Sequence, residues 1–283
     1  MGLPMARRLL AAGHDVVACD PDATQLQALG APSVLTPAEA AGSAEVVITS
    51  LPSVEIVRSV VAGPDGVAAG AKAGTTVIDM STGPPGLARD LASELSGIDV
   101  EFLDAPVSGG PIGAEAGTLA IMVGGPRSAF DRWNPLLQAM GALVEHVGDH
   151  GAGQTVKLCN NLIVACTMAG MAEACVTLER EGVDPEQAYA VWTQSTSDST
   201  VMRRRFPLPG VRPEHPATRD YEAMFRIDLL VKDVRLALDL AADHDVSSLV
   251  GDVVAERFER AAEHGFGNLD YSAVYLDVAQ TDP

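Results

Sequence analysis

Residues Gly151 to Asn161 read GAGQTVKLCNN, and the chain changes character across them. Upstream, short apolar runs alternate with amphipathic ones; downstream only the helical period continues. Gly151 and Gly153 close the first regime. Lys157 and Asn161 follow four residues apart, a spacing that stacks the ammonium and the amide on one face of a helix. Val156, Leu158, Leu162, Ile163 and Val164 are apolar around that pair, so the helix is expected to be largely buried. A lysine near a helix start is ordinarily a surface residue. A buried one is rare unless it is paired or chemically employed.

Upstream of this stretch, Leu3, Ala6, Leu9 and Leu10 repeat at helical spacing over Gly2 to Ala12, and Gly13 supplies a stop. Val16 to Cys19 reads as a short buried strand ending at Asp20. Further apolar strands are expected at Val46 to Thr49, Thr76 to Asp79, Phe102 to Leu103, Leu119 to Val123 and Val144 to Val147. Helices are expected between them, around Ala23 to Leu29, Ile56 to Val60, Gly86 to Leu95 and Ser128 to Met140. Strands buried on both faces and separated by helices imply an α/β architecture, a mostly parallel, doubly wound sheet that binds ligands at the carboxyl ends of its strands.

Asp20 is the first chemically suggestive residue of that half. An acid at the end of the second strand of a dinucleotide fold accepts hydrogen bonds from the adenosine ribose and repels a 2'-phosphate. The plainer account is an aspartate opening the turn Asp20-Pro21-Asp22. Arg58 is the only basic residue between Asp20 and Lys72, so the balance favours NAD over NADP. Such a fold also needs a strand and a GxGxxG turn before its first helix, and this sequence begins with the helix. Only Gly2 is placed to be the last glycine of that fingerprint. Leaving the neighbours of a central strand unpaired costs roughly 1 to 3 kcal/mol per buried group, against a domain stability of about 5 to 15 kcal/mol. The expectation is therefore a natural start some ten residues upstream, tested by whether in-frame strand and glycine codons precede Met1.

Downstream of Gly153, helical periods run over Gln154 to Glu181, Pro185 to Thr193, Asp228 to His244 and Ser248 to His264. The sequence thus divides into an α/β, doubly wound domain, 1–152, and an all-α domain, 153–283. Between Ser195 and Tyr221 lies a long stretch rich in Pro and Arg, a length of loop usually functional or mobile. Its Arg203-Arg204-Arg205 run reads first as a solvated basic patch and second as a receiver for a carboxylate.

Composition narrows the function classes. A formal net charge of -19 and a pI near 4.5 repel phosphate backbones and anionic lipid, which sets nucleic acid and membrane partners aside. No apolar run approaches the eighteen or so residues that span a bilayer, and no signal-peptide pattern opens the chain. Cys19, Cys159, Cys166 and Cys175 lack metal-ligand spacing and are expected to be ordinary buried thiols of a cytoplasmic protein, with no metal site.

Three motifs then occur in order: LDAPVSGGPIGAEAGTLAIMVGG from Leu103 to Gly125, GAGQTVKLCNN, and VKDVRLAL from Val231 to Leu238. Together they closely resemble the β-hydroxyacid dehydrogenase family, over essentially the whole chain. FPLPGVRPEHPATRDYEAMF, Phe206 to Phe225, is most similar to its 3-hydroxyisobutyrate dehydrogenase branch. The resemblance implies a Rossmann-like domain followed by a helical one that helps form homodimers or homotetramers. It also implies NAD-dependent oxidation of a small β-hydroxy acid, here 3-hydroxyisobutyrate to methylmalonate semialdehyde in valine breakdown. Lys157 matches the family's catalytic lysine. Desolvation and a nearby nicotinamide cation would lower the pKa of such an amine from about 10.4. Ser108, Gly109 and Gly110 match the substrate-carboxylate segment, Asn161 a residue beside the reacting hydroxyl, and Phe225 and Asp233 pocket-lining positions. Leu51, Pro52, Thr82 and Lys232 match cofactor contacts, joining Gly2 and Asp20. Ala223-Met224-Phe225 stands where relatives usually have Gly-Gly-Phe, which puts the choice of substrate in question. Alternatives are a reductase or dehydrogenase of the glyoxylate or tartronate semialdehyde type, or a non-catalytic relative. Imine reductases usually lack the lysine.

Overall fold

Six strands form where β-branched and apolar residues are bracketed by turn residues: Val46–Thr49 (β1), Thr76–Asp79 (β2), Glu101–Asp104 (β3), Val107–Ser108 (β4), Leu119–Gly124 (β5) and Gly141–Gly148 (β6). They are seen in a computed structural model that describes residues 1–280. The expected second domain therefore ends, at 281–283, outside the described residues. Contacts divide the chain into two units, Met1–Lys157 and Leu158–Pro283.

In the first unit β1, β2 and β3 are parallel neighbours in register, and β5 pairs with β6 in parallel. β5 runs antiparallel to β3 and β4, so the sheet reverses direction once and is mostly rather than wholly parallel. Successive residues of the central strands point to opposite faces. Val77 and Phe102 accordingly join one apolar cluster with Val57, Val61, Leu91 and Leu95, while Ile78 and Leu103 join another with Met5, Leu9, Ile121 and Leu137. Each fully buried side chain of this size contributes roughly 1.5 to 3 kcal/mol. This is the expected α/β, Rossmann-like architecture.

Several expectations need correction. Val16 to Cys19 is not a buried strand: it makes the single parallel bridge Ala18 to Ser33, and its side chains are exposed or half-buried. A parallel strand in a sheet interior is held by ladders on both edges, and this segment has one bridge. β6 is not a buried strand: beyond Gly141 its residues are half-buried or exposed, Leu143 at 53%. β4, the capped helix Pro37–Ser43 and the short helices Val67–Gly70 and Gly110–Ala116 were not anticipated, being too short to show a period. Of the four cysteines, all free, only Cys175 is buried.

The second unit is helical, as expected. Its core gathers Met168, Ala172 and Cys175 of the helix Ala152–Arg180, Leu230 and Val234 of Ile227–Ala242, and Val254 and Phe258 of Leu249–Ala261. Ala152–Arg180 is, by length and mean hydropathy, apolar enough to cross a membrane, contrary to the expectation that no segment is. Scattered Asn and Thr break the apolar run but leave its average at 1.5, still that of a spanning helix. Half of that window is buried inside the protein, as in the core helix of a globular domain. The helix is less enclosed than expected at two positions, Val156 at 40% and Ile163 at 67% exposure. The stretch from Ser195 to Tyr221 is partly ordered into the helix Thr200–Arg205 and a 3-10 turn, Pro216–Arg219. Its arginines do not form one solvated patch. Arg203 pairs with Asp198 at the surface, whereas Arg205 pairs with the fully buried Asp270 at 3.2 Å.

Candidate active site

The carboxyl ends of β1, β2 and β3 lead into three loops joined by buried polar side chains. Asp79, the last residue of β2, accepts the Thr49 hydroxyl of β1 at 2.7 Å and the Ser81 N–H at 3.1 Å. Ser81 Oγ accepts the Leu51 N–H at 2.9 Å, so the Leu51-Pro52 corner and the Ser81-Thr82 corner are held together. Of these cofactor candidates Leu51 and Thr82 are half-buried and Pro52 is exposed.

Asp104, the last residue of β3, reaches across to the start of the long helix. Its two oxygens accept the Gly151 N–H at 2.7 Å and the Gln154 N–H at 3.0 Å, satisfying donors that a helix start leaves open. Gly153 is required by this close approach: a Cβ there would lie 2.4 Å from the Met122 carbonyl oxygen and 2.7 Å from that of Asp104. Burial pushes the Asp79 and Asp104 carboxyls above the ordinary carboxylate value, against the hydrogen bonds that pull them down. Lys157 follows one turn after this anchor and is 8% exposed, the burial that the apolar residues around it led one to expect.

Ser108 ends β4, and Gly109 and Gly110 turn the chain into the helix Gly110–Ala116. Gly109 has φ 136° and Gly110 φ 64°, conformations that side chains with a Cβ rarely adopt. All three residues are half-buried.

In the second unit Asn161 is 2% exposed and donates to Asp233 Oδ2 at 2.6 Å, while its Oδ1 accepts Asn160 Nδ2 at 3.0 Å. One N–H of its amide remains for another acceptor. Lys232 Nζ lies 2.8 Å from Asp233 Oδ1, an ion pair without hydrogen-bond alignment at that oxygen. Asn161, Lys232 and Asp233 are therefore one cluster. Phe225, half-buried, packs edge-on against Tyr271, and its N–H is held at 3.1 Å by Asp270. Asp270 also accepts the Met224 N–H and the Ser272 hydroxyl, fixing the backbone of the Ala223-Met224-Phe225 departure.

Gly2 opens the helix Gly2–Ala11, whose first turn has no acidic residue and no side-chain cap. The N–H groups of that turn suit a phosphate. Asp20 is exposed; its Oδ1 accepts the Asp22 N–H at 2.8 Å, the plainer account given above, and its second oxygen is open to a ribose hydroxyl. The donor set of the first unit thus fits a dinucleotide.

Gln154, Asp104, Asp79, Ser81 and Asp270 were not singled out in the sequence, although their hydrogen bonds fix the segments that carry the candidates. An acid ending an apolar strand, as in TVID and EFLD, is the sequence signal that marks two of them.

Residues 1–148 match the family described as the NAD binding domain of 6-phosphogluconate dehydrogenase, and 151–277 that described as the NAD-binding domain of NADP-dependent 3-hydroxyisobutyrate dehydrogenase. The 3-hydroxyisobutyrate dehydrogenase of Pseudomonas aeruginosa is 40% identical over 97% of this chain and 94% of its own. The 2-(hydroxymethyl)glutarate dehydrogenase of Eubacterium barkeri is 36% identical over 97% and 90%. Among solved structures, Mycobacterium tuberculosis 3-hydroxyisobutyrate dehydrogenase with L-serine matches with a TM-score of 0.89 at 36% identity, over 98% of this chain and 95% of that one.

Proposed function

Since this chain belongs to the 3-hydroxyisobutyrate dehydrogenase family of NAD-dependent oxidoreductases, we propose that it oxidises 3-hydroxyisobutyrate to methylmalonate semialdehyde with Lys157 as its acid-base group. The observation that carries this reading is the burial of Lys157 one turn after a helix start fixed to the strand-end loops.

NAD, when bound, supplies the hydride acceptor; Gly2, Asp20, Leu51, Pro52, Thr82 and Lys232 are the residues that would hold it. The Ser108 hydroxyl and the Gly109 and Gly110 N–H groups hold the substrate carboxylate. The free N–H of Asn161 orients the hydroxyl that is to be oxidised. Lys157 Nζ takes the hydroxyl proton as the carbon loses its hydride and the carbonyl forms; in the reverse direction the same group returns it. Asp233 carries the charge that holds Lys232 and Asn161 together.

A relative named for 2-(hydroxymethyl)glutarate, and a neighbour holding L-serine, favour a second reading in which the substrate is another hydroxymethyl acid. Steady-state rates for 3-hydroxyisobutyrate, L-serine, 2-(hydroxymethyl)glutarate and glycerate, each with NAD and NADP, separate the two. The first reading requires the highest kcat/KM for 3-hydroxyisobutyrate with NAD. Lys157→Ala is expected to lower kcat by about 10²- to 10⁴-fold; turnover within a few fold of the parent defeats the mechanism on either substrate.

The same reading includes a homodimer or homotetramer. Leu249, Val250 and Val253 are 77, 69 and 65% exposed along one helix, an apolar surface suited to a second copy. Light scattering is expected to give a multiple of 29.4 kDa, and Val253→Glu to lower it.

A further inference from the structure

Gln154 is 2% exposed and has every polar atom of its side chain engaged. Its Oε1 accepts the Gly83 N–H at 3.0 Å, and its Nε2 donates to the Ser81 carbonyl at 2.9 Å. One amide therefore brackets Thr82 from both sides. Its own backbone N–H is held by Asp104. A single residue thus joins the helix start, the end of β3 and the loop after β2, and through Ser81 Oγ the loop after β1.

Gln154 precedes Lys157 by three residues, which on an α-helix is about 4.5 Å along the axis and roughly 60° around it. Rotation of that turn carries the lysine with it, and the long lysine side chain enlarges the displacement at Nζ. A misplacement on the order of 1 Å can cost about 10²-fold in rate. Asp104 alone fixes where the helix starts; the side-chain amide of Gln154 fixes its rotation relative to the loop that carries Thr82.

We propose that Gln154 is a positioning residue that sets the register between Lys157 and the Thr82 loop, and so between proton transfer and the residue expected beside the nicotinamide ribose. This deepens the functional reading and rests on Lys157 being the acid-base group. A glutamine that only filled space would tolerate an isosteric side chain. One that works through both bonds would not, because an ionised glutamate sets an oxygen against the Ser81 carbonyl.

The test uses the full chain with NAD and the best substrate of the panel above, comparing Gln154→Glu and Gln154→Met in the parent and in Lys157→Met. In the parent both variants are expected to lower kcat about 10- to 100-fold, with KM for NAD and substrate within about 3-fold. Gln154→Glu should regain rate relative to the parent as pH falls, because the protonated acid offers one donor and one acceptor, as the amide does. In the Lys157→Met background the same changes should alter the residual single-turnover rate by less than about 2-fold, since nothing remains to be positioned. Equal losses in both backgrounds, or a kcat within 2-fold of the parent, overturn the proposal. If Lys157→Met itself keeps full turnover, the functional reading fails instead, and that result is distinct. Circular dichroism and NADH fluorescence confirm folding; where the methionine variant does not fold, the pH response of Gln154→Glu decides.

Discussion

Asp104 in the first unit and Asp270 in the second are both fully buried, yet they are held in opposite ways. Asp104 is hydrogen-bonded by the neutral backbone N–H groups of Gly151 and Gln154, with only the His150 ring adding charge nearby. Asp79 is likewise held by a hydroxyl and a backbone N–H. Asp270 has backbone donors too, but it also has Arg205 at 3.2 Å, and Asp277 has Arg260 at 2.7 Å and His264 at 2.8 Å. The first unit fastens the acids that end β2 and β3 with neutral donors, close to where a dinucleotide is expected to bind. The second uses cations freely to fasten helices and the Phe225 loop. Buried charge is thus costly and responsive where the candidate chemistry lies, and compensated where the scaffold must hold.

The sharpest way to break that contrast is to remove one acid from each side. Asp270→Ala leaves Arg205, whose side chain is 13% exposed, without its partner and orphans the Met224, Phe225 and Ser272 N–H groups. The expected loss is about 3 to 5 kcal/mol in urea unfolding. Asp104→Asn strands no cation. It keeps one acceptor oxygen and leaves one helix-start N–H unpaired, for an expected loss of about 1 to 3 kcal/mol. If the two losses are equal, the presence of the arginine makes no difference and the contrast is wrong.

How far this was legible in the sequence follows the same division. The apolar beat gave the strands β1, β2, β3 and β5 and the long helices, because burial and period are local signals. Lys157, Asn161 and the Ser108-Gly109-Gly110 turn stood out as candidates because their motifs are contiguous. Gln154 and Asp104 were not, although both lie inside quoted motifs. Their roles are made by bonds across 50 and 71 to 73 residues of chain, which no local pattern reports. Asp270 was hidden for the same reason, since Arg205 lies in a stretch that read as a loop. The misread strand at Val16 to Cys19 shows the converse: a good local pattern remains exposed when its neighbours do not complete the ladder.

Acidity separates the two groups more gently. Burial holds Asp104 and Asp79 above their ordinary value of 3.8. Between that value and the folded one, the folded protein keeps protons that the unfolded chain has lost, so their contribution to stability falls as pH rises through this window. Burial also pushes Asp277 up, but Arg260 and His264 outweigh it and hold it below 3.8. Its contribution is complete above 3.8 and is lost as pH falls through its folded value. The penalty of Asp104→Asn relative to the parent is therefore expected to shrink as pH rises above 4, while that of Asp277→Asn shrinks as pH falls below it. Denaturant unfolding of both variants from pH 3 to 8 checks the signs, and parallel curves would contradict them.

The smallest effect calibrates the others. Arg127 and Asp131 form an i,i+4 pair at 2.8 Å on the surface of the first unit, with side chains 69 and 56% exposed. If ion pairing by itself fastened this protein, this contact would rival that of Arg205 with Asp270, since its distance is shorter. Water already solvates both partners, so little is gained by bringing them together and little is stranded when one is removed. A double-mutant cycle on Arg127→Ala and Asp131→Ala should give about 0.3 to 0.5 kcal/mol, declining further in 1 M salt, where the screening length is about 3 Å. A coupling near that of the buried pair would mean that charge, and not its removal from water, sets the difference between the two units.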